Sequence, residues 1–415
     1  MPEERAIHRE ARLDSRHRMD ERARGASPPR GFRDILPTEA RELRAIEATL
    51  TSTFESYGFV PLEPPTVEHA TRPAIFGEGR TVQFLDRDGR LVELRPDVTT
   101  AVARLVAQRY RDATDALRLS YFSPVYREEP AMTAGEREFV QAGVELIGPA
   151  GPMADAEVLA LCVDAIERCG LSLDVRSVHV GNVGLVRRLF ADLPDDAREL
   201  VLGALRSGDQ VGAIRIARDA GMSAAAVERA RHTLGLLGKR IEELGDDDDV
   251  MAIRNVIHYA RELYPGKPMW GLPNLSLVPE LPYYTGIVFE IVHPALGSPI
   301  ASGGRYDLLL AAFGAPRPAT GFAINVARLH QALFADGWRP PNERPLVTLH
   351  PNGDDRVSLR CAAALRACGL AVAIGAVAEP AGQPILIADV VDERSVKLAD
   401  GKVIAVDKLA QELMT

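Results

Sequence analysis

Nothing in this chain of 415 residues approaches the run of roughly 18 consecutive apolar residues that a membrane-spanning helix needs. Its opening stretch, MPEERAIHREARLDSRHRMDERARG, mixes both charge signs and lacks the apolar segment of a secretion signal. Positive charge is not in excess either. The 49 Lys and Arg against 58 Asp and Glu leave a formal charge of −9, which argues against bulk nucleic-acid binding. Cysteine is scarce, and Cys162, Cys169, Cys361 and Cys368 form no Cys-x-x-Cys pair; the nine histidines form no His-x-x-x-His pair. No metal or other cofactor is therefore expected, and the cysteines read as small apolar residues in a reducing compartment. Repeats and low-complexity segments are also absent. What remains is a composition, 46% hydrophobic, that fits a cytoplasmic globular protein of about two to four domains.

Residues 1–27 carry no apolar stripe, and Ser27-Pro28-Pro29 halts any helix there, so a solvated or loosely helical tail is expected. From Thr38, the residues Leu43, Ile46, Leu50, Phe54 and Tyr57 recur at steps of three and four up to Gly58, the pattern of an amphipathic helix. TVQFLDRDGRLVELRP reads as two strands meeting in a tight turn at Asp88-Gly89, followed by a helix in DVTTAVARLVAQRY. RLSYFSPVYREE and EREFVQAGVELIG alternate like the arms of a second hairpin around PAMTAG. A helix at about 154–169 precedes a helical stretch from 183 to about 265, which reads as an insertion. Strand signals return in NLSLVPELPYYTGIVFEIVH and SPIASGGRYD, ahead of a helix in GFAINVARLHQALFA. Beyond the proline-rich WRPPNERP, residues 345–415 alternate short apolar strands with two helical runs, the signature of a small α/β domain.

Taken singly, the polar candidates are ambiguous. Asp97 and Thr99 suit an ordinary helix N-cap, and Gln141 and Glu145 on a strand could face solvent. Arg127 and Arg328 fit surface ion pairs, and Tyr283-Tyr284 fit one core and one surface aromatic. SGGRYD is a weak phosphate cradle without the Walker pattern. Their order changes the reading. PRGFRDILP, LRPDVTT, FSPVYREE, EREFVQAGVELIG, YYTGIVFE, SGGRYDLLL and GFAINVARL together resemble the class II histidine–tRNA ligases, over about residues 28–335 and only loosely beyond. The resemblance implies an α+β fold with a six- or seven-stranded antiparallel sheet flanked by helices. It also implies a helical insertion, a degenerate anticodon-binding domain, and dimerisation through the first helix and the strand near Pro65. By the same resemblance Arg127 would hold an α-phosphate and Arg328 would lie along the ATP triphosphate. Asp97, Thr99, Gln141, Glu145 and Tyr284, with Tyr283 beside it, would grip the ammonium and imidazole of histidine. Carboxylates and a tyrosine hydroxyl are suited to those groups.

The departures point further. Ligases carry Arg-Gly-Leu-Asp before the paired tyrosines, whereas this chain has Pro279-Glu280-Leu281-Pro282. Loss of such a preorganised cation typically lowers a rate by about 10²–10³-fold. The basic loop between the hairpin arms has become EEPAMTAGER, and the terminal Gly-x-Glu-Arg has become Asn325-Val326-Ala327-Arg328. Losses confined to ATP and carboxylate handling resemble the family of ATP phosphoribosyltransferase regulatory subunits, non-catalytic paralogues of the ligase. That resemblance implies a short-form catalytic subunit as partner in a hetero-oligomer, histidine as effector, no catalytic residues of its own and no tRNA. A divergent histidine–tRNA ligase, or an enzyme activating another amino acid, is the alternative that the retained Arg127 and Arg328 keep open.

Overall fold

The computed structural model describes residues 27–70, 81–128, 136–174, 177–236, 247–265, 271–340, 345–375, 377 and 385–414. The expected tail before Ser27, the PAMTAG loop and residues 341–344 of the proline-rich linker lie outside them. The chain divides into two compact units. The first holds the residues up to Asp34 and Ile46–Trp338; the second gathers Ile35–Ala45 with the chain from Arg339 on.

Helix α1 (Pro37–Ser56) belongs to the first unit from Ile46 on, where it buries Ile46, Leu50 and Phe54, and Phe54 meets Phe322 edge-on at 5.7 Å. Ile46, Leu50 and Phe54 of the apolar stripe thus pack inside the chain, while Leu43 and Tyr57 stay partly exposed. After β1 (Val60–Pro61) come β2 (Val67–His69), β3 (Gln83–Leu85) and β4 (Leu91–Leu94). These last three form a separate sheet in the order β2-β4-β3. Pairing of Leu85 with Leu91 leaves a loop over 86–90, wider than the expected two-residue turn. The Asp86 carboxylate accepts the N–H groups of Asp88 and Arg90, and Gly89 supplies the left-handed residue at φ +74°.

Helix α2 (Val98–Arg109) leads to the long hairpin of β5 (Leu117–Tyr126) and β6 (Glu138–Ile147). Helix α3 (Pro152–Arg168) and β7 (Val178–Asn182) precede α4 (Val183–Leu189), α5 (Asp195–Arg206), α6 (Gln210–Asp219), α7 (Ala224–Leu234) and α8 (Asp248–Leu263). Val186, Phe190, Val201, Ala213 and Val227 give the inserted helices a core of their own. Helix α8 instead turns Ile253, Val256 and Ile257 inward and packs on α3 and β7. Then follow β8 (Leu272–Pro273), β9 (Ile287–Ile291), β10 (Ala301–Arg305), α9 (Asp307–Ala312), β11 (Ala319–Asn325) and α10 (Val326–Ala335). The main sheet runs β1-β5-β6-β11-β10-β9-β7-β8. It has eight strands, more than the resemblance implied, because the two-residue strands β1 and β8 add parallel edges to an antiparallel centre.

The second unit carries β12 (Leu346–His350), α11 (Asp355–Ala367), β13 (Ala371–Ile374), β14 (Ile385–Asp392), β15 (Ser395–Leu398), β16 (Val403–Ala405) and α12 (Val406–Met414). Its sheet, β13-β12-β14-β15-β16, is parallel over the first three strands and antiparallel over the rest. Val347, Leu349, Cys361, Leu365 and Val396 form its core. The short β15 escaped sequence reading, because SVKL is too brief and too polar to stand out by alternation.

Candidate functional site

A cavity of about 430 Å³ opens over the middle strands of the main sheet. Asp97, Arg127, Gln141, Tyr283, Tyr284 and Arg328 line it, together with Pro279, Glu280, Glu290 and Asn325. Most of the residues singled out in the sequence are therefore brought to one place from distant parts of the chain. Thr99 and Glu145 are not on its wall; they are sealed into the adjoining core.

Each wall residue is held by the fold in a specific way. Asp97 caps α2, accepting the Thr100 N–H at 2.7 Å and the Thr100 hydroxyl at 3.0 Å. The cap and the lining role coincide in one side chain, since the helix begins at the cavity edge. Gln141 Oε1 receives the Val98 N–H at 3.4 Å, tying that helix start to β6. Arg127 follows β5; its Nε donates to the Pro96 carbonyl at 2.9 Å and its guanidinium lies 5.3 Å from the Phe139 ring centre. Its Nη1 donates to Glu280 Oε2 at 3.2 Å. Arg328 stands in the first turn of α10, which Asn325 caps through the Arg328 N–H at 3.0 Å, and its Nη1 donates to the Pro299 carbonyl at 3.0 Å.

Behind the wall lies a buried polar cluster. Tyr306 donates its hydroxyl to Glu145, whose second oxygen, Oε1, has no partner among the described residues. The Tyr283 ring sits 4.9 Å from Tyr284 and 5.7 Å from Tyr306, centre to centre. Burial pushes the Glu145 carboxyl up to about 8, against the pull of the Tyr306, Thr99 and Tyr121 hydroxyls. At neutral pH this group is mainly the uncharged acid. Glu290, on the cavity wall, is pushed up to about 7, first by burial and then by the charge of Glu280. The phenols of Tyr121, Tyr283, Tyr284 and Tyr306 all lie above their ordinary value because burial disfavours a phenolate.

Two glycines make room for this cluster. A Cβ on Gly321 would fall 2.0 Å from Glu145 Oε2, and one on Gly143 would fall 2.5 Å from the Tyr121 hydroxyl. Tyr121 and Tyr306 were missed in the sequence. Tyr306 sits in SGGRYD, where the glycines drew the reading towards phosphate, although Gly303 and Gly304 in fact let strands and rings close up. The neighbouring Arg305 is buried too and pairs with Asp155 at 2.8 Å, joining β10 to α3. Among the described residues no group of His, Cys, Asp and Glu is placed to hold a metal ion. The cavity offers carboxylates for a cation, guanidiniums for an anion and phenol rings for a flat heterocycle.

The chain is similar to known proteins in sequence and in fold. The model of the family described as histidyl-tRNA synthetase matches residues 31–329. A protein of Desulforamulus reducens named ATP phosphoribosyltransferase regulatory subunit is 38% identical over 82% of this chain and 88% of its own. The Moorella thermoacetica protein of the same name is 37% identical over 83% of this chain and 91% of its own. A solved structure from Bacillus halodurans, described as an ATP phosphoribosyltransferase regulatory subunit/histidyl-tRNA synthetase, superposes with a TM-score of 0.74 at 30% identity, covering 88% of this chain and 98% of that one. The histidyl-tRNA synthetase of Nostoc sp. PCC 7120 reaches the same TM-score at 22% identity over 94% of this chain and 98% of its own, a likeness of fold alone.

Proposed function

The chain belongs to the histidyl-tRNA synthetase family and, within it, to the ATP phosphoribosyltransferase regulatory subunits, and from that premise we propose that it binds histidine in the cavity without activating it. As such a subunit it serves the first step of histidine biosynthesis. Its partner is a short-form catalytic subunit, which joins ATP to phosphoribosyl pyrophosphate, and histidine acts on the complex as feedback effector through Asp97, Gln141, Tyr283 and Tyr284, with Thr99 and Glu145 supporting that wall from behind. Arg127 and Arg328 are remnants of an ATP site. No tRNA is bound, and the protein works in the cytoplasm, where its four free thiols would stay reduced. Among the described residues no helix is long and apolar enough to cross a membrane.

One observation carries the non-catalytic reading. The wall position that should present a cation to the substrate carboxylate is Pro279, which has neither charge nor N–H, and beside it Glu280 takes up Arg127. An in-line attack on a phosphate by that carboxylate has lost the group that would align it. A homodimer within the complex is supported by the small sheet, where Val67, Phe84, Leu85 and Leu91 leave apolar surface exposed. Titration of a short-form catalytic subunit with the purified chain tests the function. A larger species in sedimentation and a rise in turnover of ATP with phosphoribosyl pyrophosphate are expected. Separate sedimentation at micromolar concentrations, with turnover unchanged, would contradict it and return attention to an amino-acid-activating enzyme.

A further inference from the structure

Arg127 and Glu280 are anchored very differently. The Arg127 guanidinium is fixed by the Pro96 carbonyl and the Phe139 ring, and only 23% of its side chain is exposed. The Glu280 side chain that meets it at 3.2 Å is 81% exposed. Its backbone is firm, since Pro279 and Pro282 flank the segment and Arg187 donates to the Pro282 carbonyl at 3.0 Å. The arrangement is a fixed cation with a carboxylate that can swing away from a stationary hinge. Glu290 adds a second acid to the same wall. A carboxylate entering the cavity must therefore compete with Glu280 for Arg127.

We propose that Glu280 is an internal competitor for the ligand carboxylate: it holds Arg127 until an α-amino acid displaces it, and so narrows the cavity's margin for the amino acid over the corresponding imidazole amine. The proposal rests on the reading of the cavity as a histidine site and identifies the residue that sets its preference. Because the pair is exposed on the Glu280 side, the competition is modest, amounting to about a threefold to fivefold change in affinity. An amine without a carboxylate leaves the pair intact and gains the acidic wall.

Calorimetric titration of the full chain with histidine and, separately, with histamine tests it, using the wild type, Glu280→Gln, Arg127→Gln and the double variant, each checked by circular dichroism. Glu280→Gln should bind histidine about threefold to fivefold more tightly and histamine no more tightly than before. In the Arg127→Gln background the gain for histidine should vanish, since the competition runs through that guanidinium. If the wild type binds histidine and Glu280→Gln changes neither its affinity nor the histidine-to-histamine ratio, the competitor role is overturned and the histidine site stands. The role also fails if the gain persists without Arg127. If no variant binds histidine at all, the cavity reading itself is overturned, and the competitor role with it.

Discussion

On the inner side of the cavity, Glu145 is sealed among Tyr121, Thr99, Tyr283 and Tyr306 with 1% of its surface in water. At the mouth, Glu280 keeps most of its side chain in water and touches one guanidinium. The inner cluster is fixed from several directions by strand register, ring packing and the two glycines that admit it. At the mouth, by contrast, the Glu280 side chain is held by that one ion pair, although its backbone is firm. A side chain of the first kind cannot change without disturbing the fold, whereas one of the second kind can exchange charge at little expense in stability. This fits the departure from the ligase pattern at 279–282, at the mouth, beside a Glu145 that matches it. It also means that an intact inner cluster is partly a folding requirement, so its persistence alone does not establish binding.

The largest effect should come from overfilling the inner cluster. Gly321→Ala places a methyl 2.0 Å from Glu145 Oε2 and 2.4 Å from the Val144 carbonyl oxygen. Urea unfolding should show a loss of about 3 kcal/mol; a loss below about 1 kcal/mol would break the contrast between the two regions. Next comes pH. Because the folded Glu145 carboxyl sits near 8 against an ordinary 4.5, the folded state holds a proton that the unfolded chain gives up. Its contribution is complete below about pH 4.5 and is lost as pH rises through 8, with a slope of up to about 1.4 kcal/mol per unit. Glu290 acts in the same direction up to about 7. Glu145→Gln should flatten the upper part of that curve, and denaturant midpoints from pH 5 to 9 measure it.

A smaller effect is expected on the ligand. Tyr284→Phe removes one hydroxyl from the wall and should weaken histidine binding by about 1 kcal/mol, read by calorimetry. Unchanged affinity would make this tyrosine a packing element only. Smallest of all, Glu280→Gln should leave the unfolding midpoint within about 0.5 kcal/mol of the wild type. A larger shift would show that the mouth is as strongly determined as the inner cluster.

Much of this was legible in the sequence. The spacing of Ile46, Leu50 and Phe54 gave α1 and its buried face, and the alternation around PAMTAG gave the β5–β6 hairpin. Local periodicity carries such information because each element's buried face is written in its own residues. What depended on distant pairing was not visible. The parallel contact of Val60 with Leu119, the independence of the small sheet and the return of α8 to α3 leave no mark at short range. The site divides the same way. Motif order brought Asp97, Arg127, Gln141, Tyr283, Tyr284 and Arg328 to one cavity, but it could not separate wall from interior and so put Thr99 and Glu145 on the wall. Tyr121 is one apolar-patterned residue on a long strand, and nothing in its neighbourhood reveals that it faces a carboxyl from β6. The pairing of Arg127 with Glu280 spans residues far apart in the chain and needed the fold to be seen.

The central claim is that the cavity still recognises histidine but no longer activates it, and one experiment addresses both halves. The full chain is incubated with histidine, ATP, magnesium and labelled pyrophosphate, and exchange of label into ATP is measured beside a calorimetric titration of the same sample with histidine. The account predicts saturable binding with exchange at the level of the protein-free control. Histidine-dependent exchange at a rate typical of an aminoacyl-tRNA ligase would contradict it.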